Sequence, residues 1–143
     1  IRFWEVSSGM CYRTIQYPDC AINRLKITPD KQRLAAAGNP HIRFFDITTN
    51  HPNPVMSFDG HTNNVTEVGF QQDGKWMFSC SEDETVKIWD MRASGQQREL
   101  KCAGAVNSAA LHPNQRTMVT GDQTGAVRIW DLNSDECLQE LVP

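Results

Sequence analysis

The sequence has 143 residues, 39% of them apolar, and a formal net charge of −3, a length whose prior is one compact domain. The 14 Lys and Arg are scattered without a run of four, which argues against a nucleic-acid groove or a polybasic membrane patch. No apolar stretch approaches the roughly 18 residues of a membrane span.

The first residues, Ile1-Arg2-Phe3-Trp4-Glu5, already read as a strand, so the sequence is expected to belong to a longer chain. A second alternating segment holds Leu25 and Ile27, followed by the turn formers Pro29-Asp30 and a strand from Leu34 to Ala37. Ile42-Arg43-Phe44-Phe45-Asp46 then repeats the opening pattern: aliphatic, basic, apolar, aromatic, acidic. A further strand runs from Val55 to Phe58. The cycle restarts with Val68 and Phe70, a turn at Asp73-Gly74, a strand from Trp76 to Cys80, and the template Val86-Lys87-Ile88-Trp89-Asp90. A last cycle has Ala109 and Leu111, Pro113-Asn114, Met118 to Thr120, the template Val127-Arg128-Ile129-Trp130-Asp131, and a final strand from Glu136 to Leu141. The template aromatics at 4, 45, 89 and 130 are spaced by 41, 44 and 41 residues. Four short strands in each period of about 40 to 45 residues, alternating with period two, mark a β-propeller blade.

On these motifs the chain resembles the WD-repeat family over essentially its whole length. Strict Trp-Asp pairs stand at 89–90 and 130–131, with Trp4-Glu5 and Phe45-Asp46 as degenerate forms. The resemblance implies an all-β propeller fragment of about three and a half four-stranded blades, where a closed propeller commonly has seven. The blades divide as 1–17, 18–60, 61–104 and 105–143, all in one propeller domain.

The stretch Ser81-Glu82-Asp83-Glu84-Thr85, with Gly60-His61 upstream, poses a chemical question. Ser, His and Asp are the types of a nucleophilic triad, but no Gly-x-Ser-x-Gly elbow presents the serine. The family resemblance implies a structural tetrad instead: His61, Asp83, Trp89 and either Ser79 or Ser81, two serines on the same strand face. A Trp N–H donates, a Ser hydroxyl donates and accepts, a His relays and an ionised Asp accepts. Asn39 and Thr124 stand six residues before the aromatics of the neighbouring templates, where Asp83 stands before Trp89, so the tetrad is expected in that repeat alone. Glu84 replaces the glycine found at Gly125 in the next repeat, at a cost of roughly 1 kcal/mol if its backbone is left-handed.

Other motifs fall short of a site. Asp83-Glu84-Thr85 lacks the spacing of a calcium loop, and His41, His51 and His112 have no second ligand at helical spacing, so neither metal nor cofactor is expected. Gly121 to Gly125 lacks the Lys-Ser/Thr of a phosphate loop. Arg2, Arg43, Lys87 and Arg128 are expected to snorkel at the blade periphery. Five cysteines without CxxC spacing suggest free, mostly buried thiols in a reducing compartment, and the sequon at Asn64 is taken as a chance match.

Motifs outside the generic template narrow the resemblance. Leu25-Lys26-Ile27-Thr28-Pro29-Asp30, Asn39-Pro40-His41-Ile42-Arg43, Pro52-Asn53-Pro54-Val55, Lys75-Trp76-Met77, Leu111-His112-Pro113-Asn114-Gln115 and Gly121-Asp122-Gln123 resemble, in this order, the N-terminal half of the G-protein-β-like propeller subunits of target-of-rapamycin (TOR) kinase complexes. The segment Cys11 to Asp19 is most like plant members. That resemblance implies a non-catalytic scaffold that binds and stabilises the TOR kinase domain alongside other TOR-complex subunits. It implies a cytoplasmic location, with endomembrane association through the complex. The alternative is a generic adaptor of a ubiquitin ligase or chromatin complex. Rim loops would carry the interface, with Tyr17, Asn39, His41, Asn63, Asn64 and Gln123 as candidates that the fold does not require.

Overall fold

A computed structural model describes residues 1–16, 21–93 and 95–143. Its strands are β1 (Arg2–Glu5), β2 (Met10–Thr14), β3 (Arg24–Ile27), β4 (Arg33–Ala37), β5 (Ile42–Asp46), β6 (Met56–Phe58), β7 (Val65–Phe70), β8 (Trp76–Ser81), β9 (Thr85–Asp90), β10 (Gly95–Lys101), β11 (Val106–Leu111), β12 (Thr117–Asp122), β13 (Val127–Asp131) and β14 (Glu136–Leu141). They form one two-stranded and three four-stranded antiparallel sheets, each ordered as in sequence. Strands β3, β7 and β11 come closest to one another across sheets. Each sheet therefore starts near a common axis and steps outward, which is the geometry of propeller blades.

The cores lie between sheets. Phe44, Phe58, Val68, Met77 and Trp89 fill the space between the second and third sheets; Phe78, Ile88, Leu100, Met118, Trp130 and Leu132 fill the next. Strand side chains alternate between faces, so a middle strand buried on both faces reads as a continuous apolar run. This explains the buried β4 sequence Leu34-Ala35-Ala36-Ala37.

The turns repeat in detail. The N–H groups of Lys31, Gly74 and Gln115 donate to the carbonyls of Thr28, Gln71 and His112, and all three are left-handed, with φ of 61°, 73° and 63°. Glu84 is left-handed at 74°, as is Gly125 at 87°. Every template acid closes the outer turn that follows it. Asp46, Asp90 and Asp131 accept from the backbone N–H of Thr48, Arg92 and Asn133, and Glu5 accepts from the Ser7 hydroxyl. The acid of the template is thus a turn-former that bonds two residues on.

Two expectations are corrected here. Lys87 and Arg128 are buried and Arg43 is half-buried, so these cations do not snorkel; Arg2 alone is exposed. The third strand lies between two others, and its cation meets an acid beyond it: Arg43 with Asp59 at 2.7 Å, Lys87 with Glu99 at 2.8 Å and Arg128 with Glu140 at 2.8 Å. The thiols of Cys11, Cys80, Cys102 and Cys137 are free, but Cys11 and Cys137 are exposed, because the flanking sheets have uncovered faces.

Candidate functional site

The polar centre of the chain is built by the third sheet. His61 enters from the loop before β7, Ser79 from the middle of β8, Asp83 from the β8–β9 turn, and Trp89 from β9. Met77 opposes Trp89 across the β8–β9 pair, so Ser79 lies two residues further along the same face as Met77. The Trp89 indole Nε1 donates to Ser79 Oγ at 2.7 Å. Ser79 Oγ lies 2.6 Å from His61 Nε2, and His61 Nδ1 lies 2.8 Å from Asp83 Oδ2. A carboxylate only accepts, so the consistent proton assignment is Nδ1–H on His61 and a Ser79 hydroxyl donating to Nε2.

Burial pushes the His61 imidazole below its ordinary value of 6.5, and its bond to Asp83 offsets only part of that. Burial alone raises the Asp83 carboxyl, but bonds from Thr85, His61 and the Thr62 N–H together hold it below the usual carboxylate range. The neutral imidazole and the ionised carboxylate fit this assignment. Among the described residues no buried side-chain N or O atom lacks a partner.

The same three residues have the connectivity of a catalytic triad, and the structure separates the two possibilities. Ser79 is 0% exposed and already accepts the tryptophan N–H, so no carbonyl carbon reaches its oxygen. Ser81 stands apart from the chain: it donates to the Asn63 carbonyl at 3.2 Å and accepts the Asp83 N–H at 3.1 Å, capping the turn.

The fourth sheet carries a reduced version that sequence reasoning missed. Trp130 Nε1 donates to Thr120 Oγ1 at 3.0 Å. Thr120 precedes Trp130 by ten residues, as Ser79 precedes Trp89, and that spacing was the available signal. In place of the His–Asp arm, Asp122 is buried against Arg128 and accepts from Thr124. Burial raises the Asp122 carboxyl, and its bonds from Thr124 and Arg128 reverse this, leaving it low.

The expected interface residues have mixed fates. The β4–β5, β8–β9 and β12–β13 turns and the β6–β7 and β10–β11 loops share one end of the blades. Asn39 and Gln123 are exposed there. His41 is half-buried, with Nδ1 2.7 Å from Asp59 Oδ1. Asn63 is exposed, but its carbonyl holds Ser81. Asn64 is half-buried; its side chain accepts from Asn23, and its carbonyl accepts the Glu82 N–H at 2.9 Å. The fold therefore uses His41, Asn63 and Asn64, contrary to expectation, because they tie one loop to the next. Tyr17 lies outside the described residues.

Two outcomes test the tetrad. Ser79→Ala strands the Trp89 N–H and the His61 Nε2 in a dry site, and the expected loss is about 2–4 kcal/mol of unfolding free energy in urea. The second concerns pH. The folded His61 binds its proton more weakly than the unfolded chain, so the unfolded state gains protons as pH drops below about 6.5, and stability falls with it. The melting temperature is expected to be lower at pH 5.5 than at pH 7.5, and His61→Gln is expected to flatten that interval.

Comparison with known proteins follows the same repeats. The family model described as WD domain, G-beta repeat matches residues 52–90 and 95–131, each match joining one blade's outer strand to the next blade's first three. Over all of the chain and 46% of the relative, the sequence is 54% identical to "Target of rapamycin complex subunit wat1" of Schizosaccharomyces pombe. Over 83% of the chain and 39% of the relative, it is 64% identical to "Target of rapamycin complex subunit LST8-1" of Arabidopsis thaliana. The chain thus spans about half the length of the relatives it matches. A solved chain from "Crystal Structure of Mitotic Checkpoint Complex" superposes with a TM-score of 0.88 at 20% identity, over 99% of this chain and 44% of that one, which shows the shared propeller fold. The family model covers more than half of the residues, and the chain belongs to the WD domain, G-beta repeat family.

Proposed function

We propose that the chain is part of a non-catalytic scaffold subunit that binds and stabilises a TOR-type kinase domain within a TOR complex. The observation that carries this reading is identity of 54% over the full chain to a relative named as a target of rapamycin complex subunit. The architecture suits the task. Hydrogen-bonded loops at one end of the blades offer a broad surface with little ordering cost on binding. Val65 N–H donates to the Gly38 carbonyl and Gln123 N–H to the Ala105 carbonyl, so neighbouring loops there hold one another. Asn39 and Gln123 project from that surface. The likeness also implies further complex subunits as partners and a cytoplasmic location. No helix among the described residues is long and apolar enough to cross a membrane.

The test is co-expression of the full-length protein with a TOR kinase domain, followed by size exclusion. Co-elution is expected, and replacing Asn39 and Gln123 together is expected to weaken it. A folded protein that elutes alone, under conditions where the fission-yeast relative co-elutes, contradicts the reading.

A further inference from the structure

At the opposite end of the blades, the joints between sheets share one plan but differ in their filling. Arg33, Trp76 and Thr117 are equivalent, each paired with the template acid of the next strand. Phe70 and Leu111 are equivalent ends of β7 and β11, opposite Met77 and Met118. Met91 and Leu132 each follow the template acid and donate their N–H to the inner turn, at Lys75 and Arg116. At the joint between the third and fourth sheets, Trp76 and Leu111 pack against the cluster that contains buried Leu132. Arg98 closes the joint from outside, bonding the Leu132 carbonyl and Asp135.

At the joint between the second and third sheets both closing groups differ. Arg33 stands in the place of Trp76, and Met56 in the place of Arg98. Met91 is only partly buried where its equivalent Leu132 is buried, and a cleft of about 230 Å³ opens over Phe70 and Met91, lined also by Thr28, Pro29, Asp30, Arg33, Asp73 and Arg92. That volume lies below the range of small-molecule pockets and suits one large side chain.

The charges around the cleft are not equally available. Asp30 accepts from Thr28 Oγ1 at 2.6 Å and from the Gln32 N–H at 3.0 Å, and Asp73 accepts from Gln71 at 3.2 Å, so both acids serve their own turns. The Arg33 guanidinium donates to a thioether, Met56 Sδ at 3.9 Å. Beside the hydrogen bonds from Thr28 and Thr48, its charge helps to hold the Asp30 and Asp46 carboxyls low without a direct hydrogen bond to either. Arg92 is 78% exposed and 3.6 Å from Asp90. Each guanidinium has five N–H donors, and a carboxylate takes two at once.

We propose that this cleft docks a segment of a partner protein presenting an aromatic side chain beside a carboxylate. The ring covers Phe70 and Met91 as Trp76 covers the next joint, and Arg33 and Arg92 hold the acid. Aromatic anchors and arginines are the residue types in which binding energy at protein interfaces concentrates. The site lies away from Gly60-His61 and does not rest on the kinase-scaffold reading.

The experiment is selection of a random seven-residue peptide library, displayed on phage, against the full-length protein, then anisotropy measurement of the best binder. Peptides with an aromatic residue next to Asp or Glu are expected. Arg33→Trp, which installs the neighbouring joint's own plug, is expected to abolish binding without lowering the melting temperature. Arg92→Glu, on an exposed turn, is expected to weaken binding about tenfold or more, and it reads the carboxylate grip whether or not Arg33→Trp folds. Enrichment of basic peptides, binding unaffected by either variant, or no selectable binder overturns the proposal.

Discussion

The hydrogen-bonded chain from Trp89 through Ser79 and His61 to Asp83 is the interaction around which the third sheet is organised. It joins two strands, the loop that enters the sheet and the turn that reverses it. The side chains are nearly or fully buried, with those of His61 and Asp83 at 0% and 7% exposure, so each would cost several kcal/mol if left without a partner. Complete satisfaction converts that liability into specificity: only one arrangement of strand, turn and entry loop pairs every group. The rim loops inherit their positions from it. Asn63 holds Ser81, Asn64 holds Glu82, and Thr62 holds Asp83.

The other sheets solve the same problem with different groups. The fourth keeps the tryptophan and replaces serine by Thr120, then sets the buried pair of Asp122 and Arg128 where the histidine arm would be. The second replaces the tryptophan with Phe45, which needs no acceptor, and Ala36, opposite Arg43, stands where the other sheets carry the hydroxyl opposite their cation. Polar partners therefore come and go together. The cation of the third strand and the acid beyond it form a second recurring pair, from Arg43 with Asp59 to Arg128 with Glu140. Both devices bury charge only where the opposite charge is supplied by the adjacent strand or loop, as a low-dielectric site requires.

Much of this was legible in the residues because the fold is periodic. The spacing of Trp4, Phe45, Trp89 and Trp130 fixed the third strands, and alternation fixed their neighbours. What the sequence left open was geometric. Ser79 and Ser81 share a strand face, and only the depth of the strand in the sheet decides that Ser79 meets the indole. The template cations looked peripheral because a linear pattern does not reveal that an acid on the next strand, or just beyond it, covers them. His41, Asn63 and Asn64 looked dispensable because loop-to-loop hydrogen bonds have no periodic signature. The unfilled joint at Phe70 and Met91 emerges only when equivalent positions of neighbouring sheets are superposed.

The central claim is that the indole of Trp89 is locked by the chain of partners and is released only when the sheet opens. Hydrogen exchange of the tryptophan indole protons, followed by NMR, tests it directly. Trp4 is 53% exposed and is expected to exchange at once. Trp89 is expected to exchange as slowly as the backbone amides of β8 and β9, through the same cooperative opening. An indole proton of Trp89 that exchanges at the rate of Trp4, while those amides remain protected, would contradict the account.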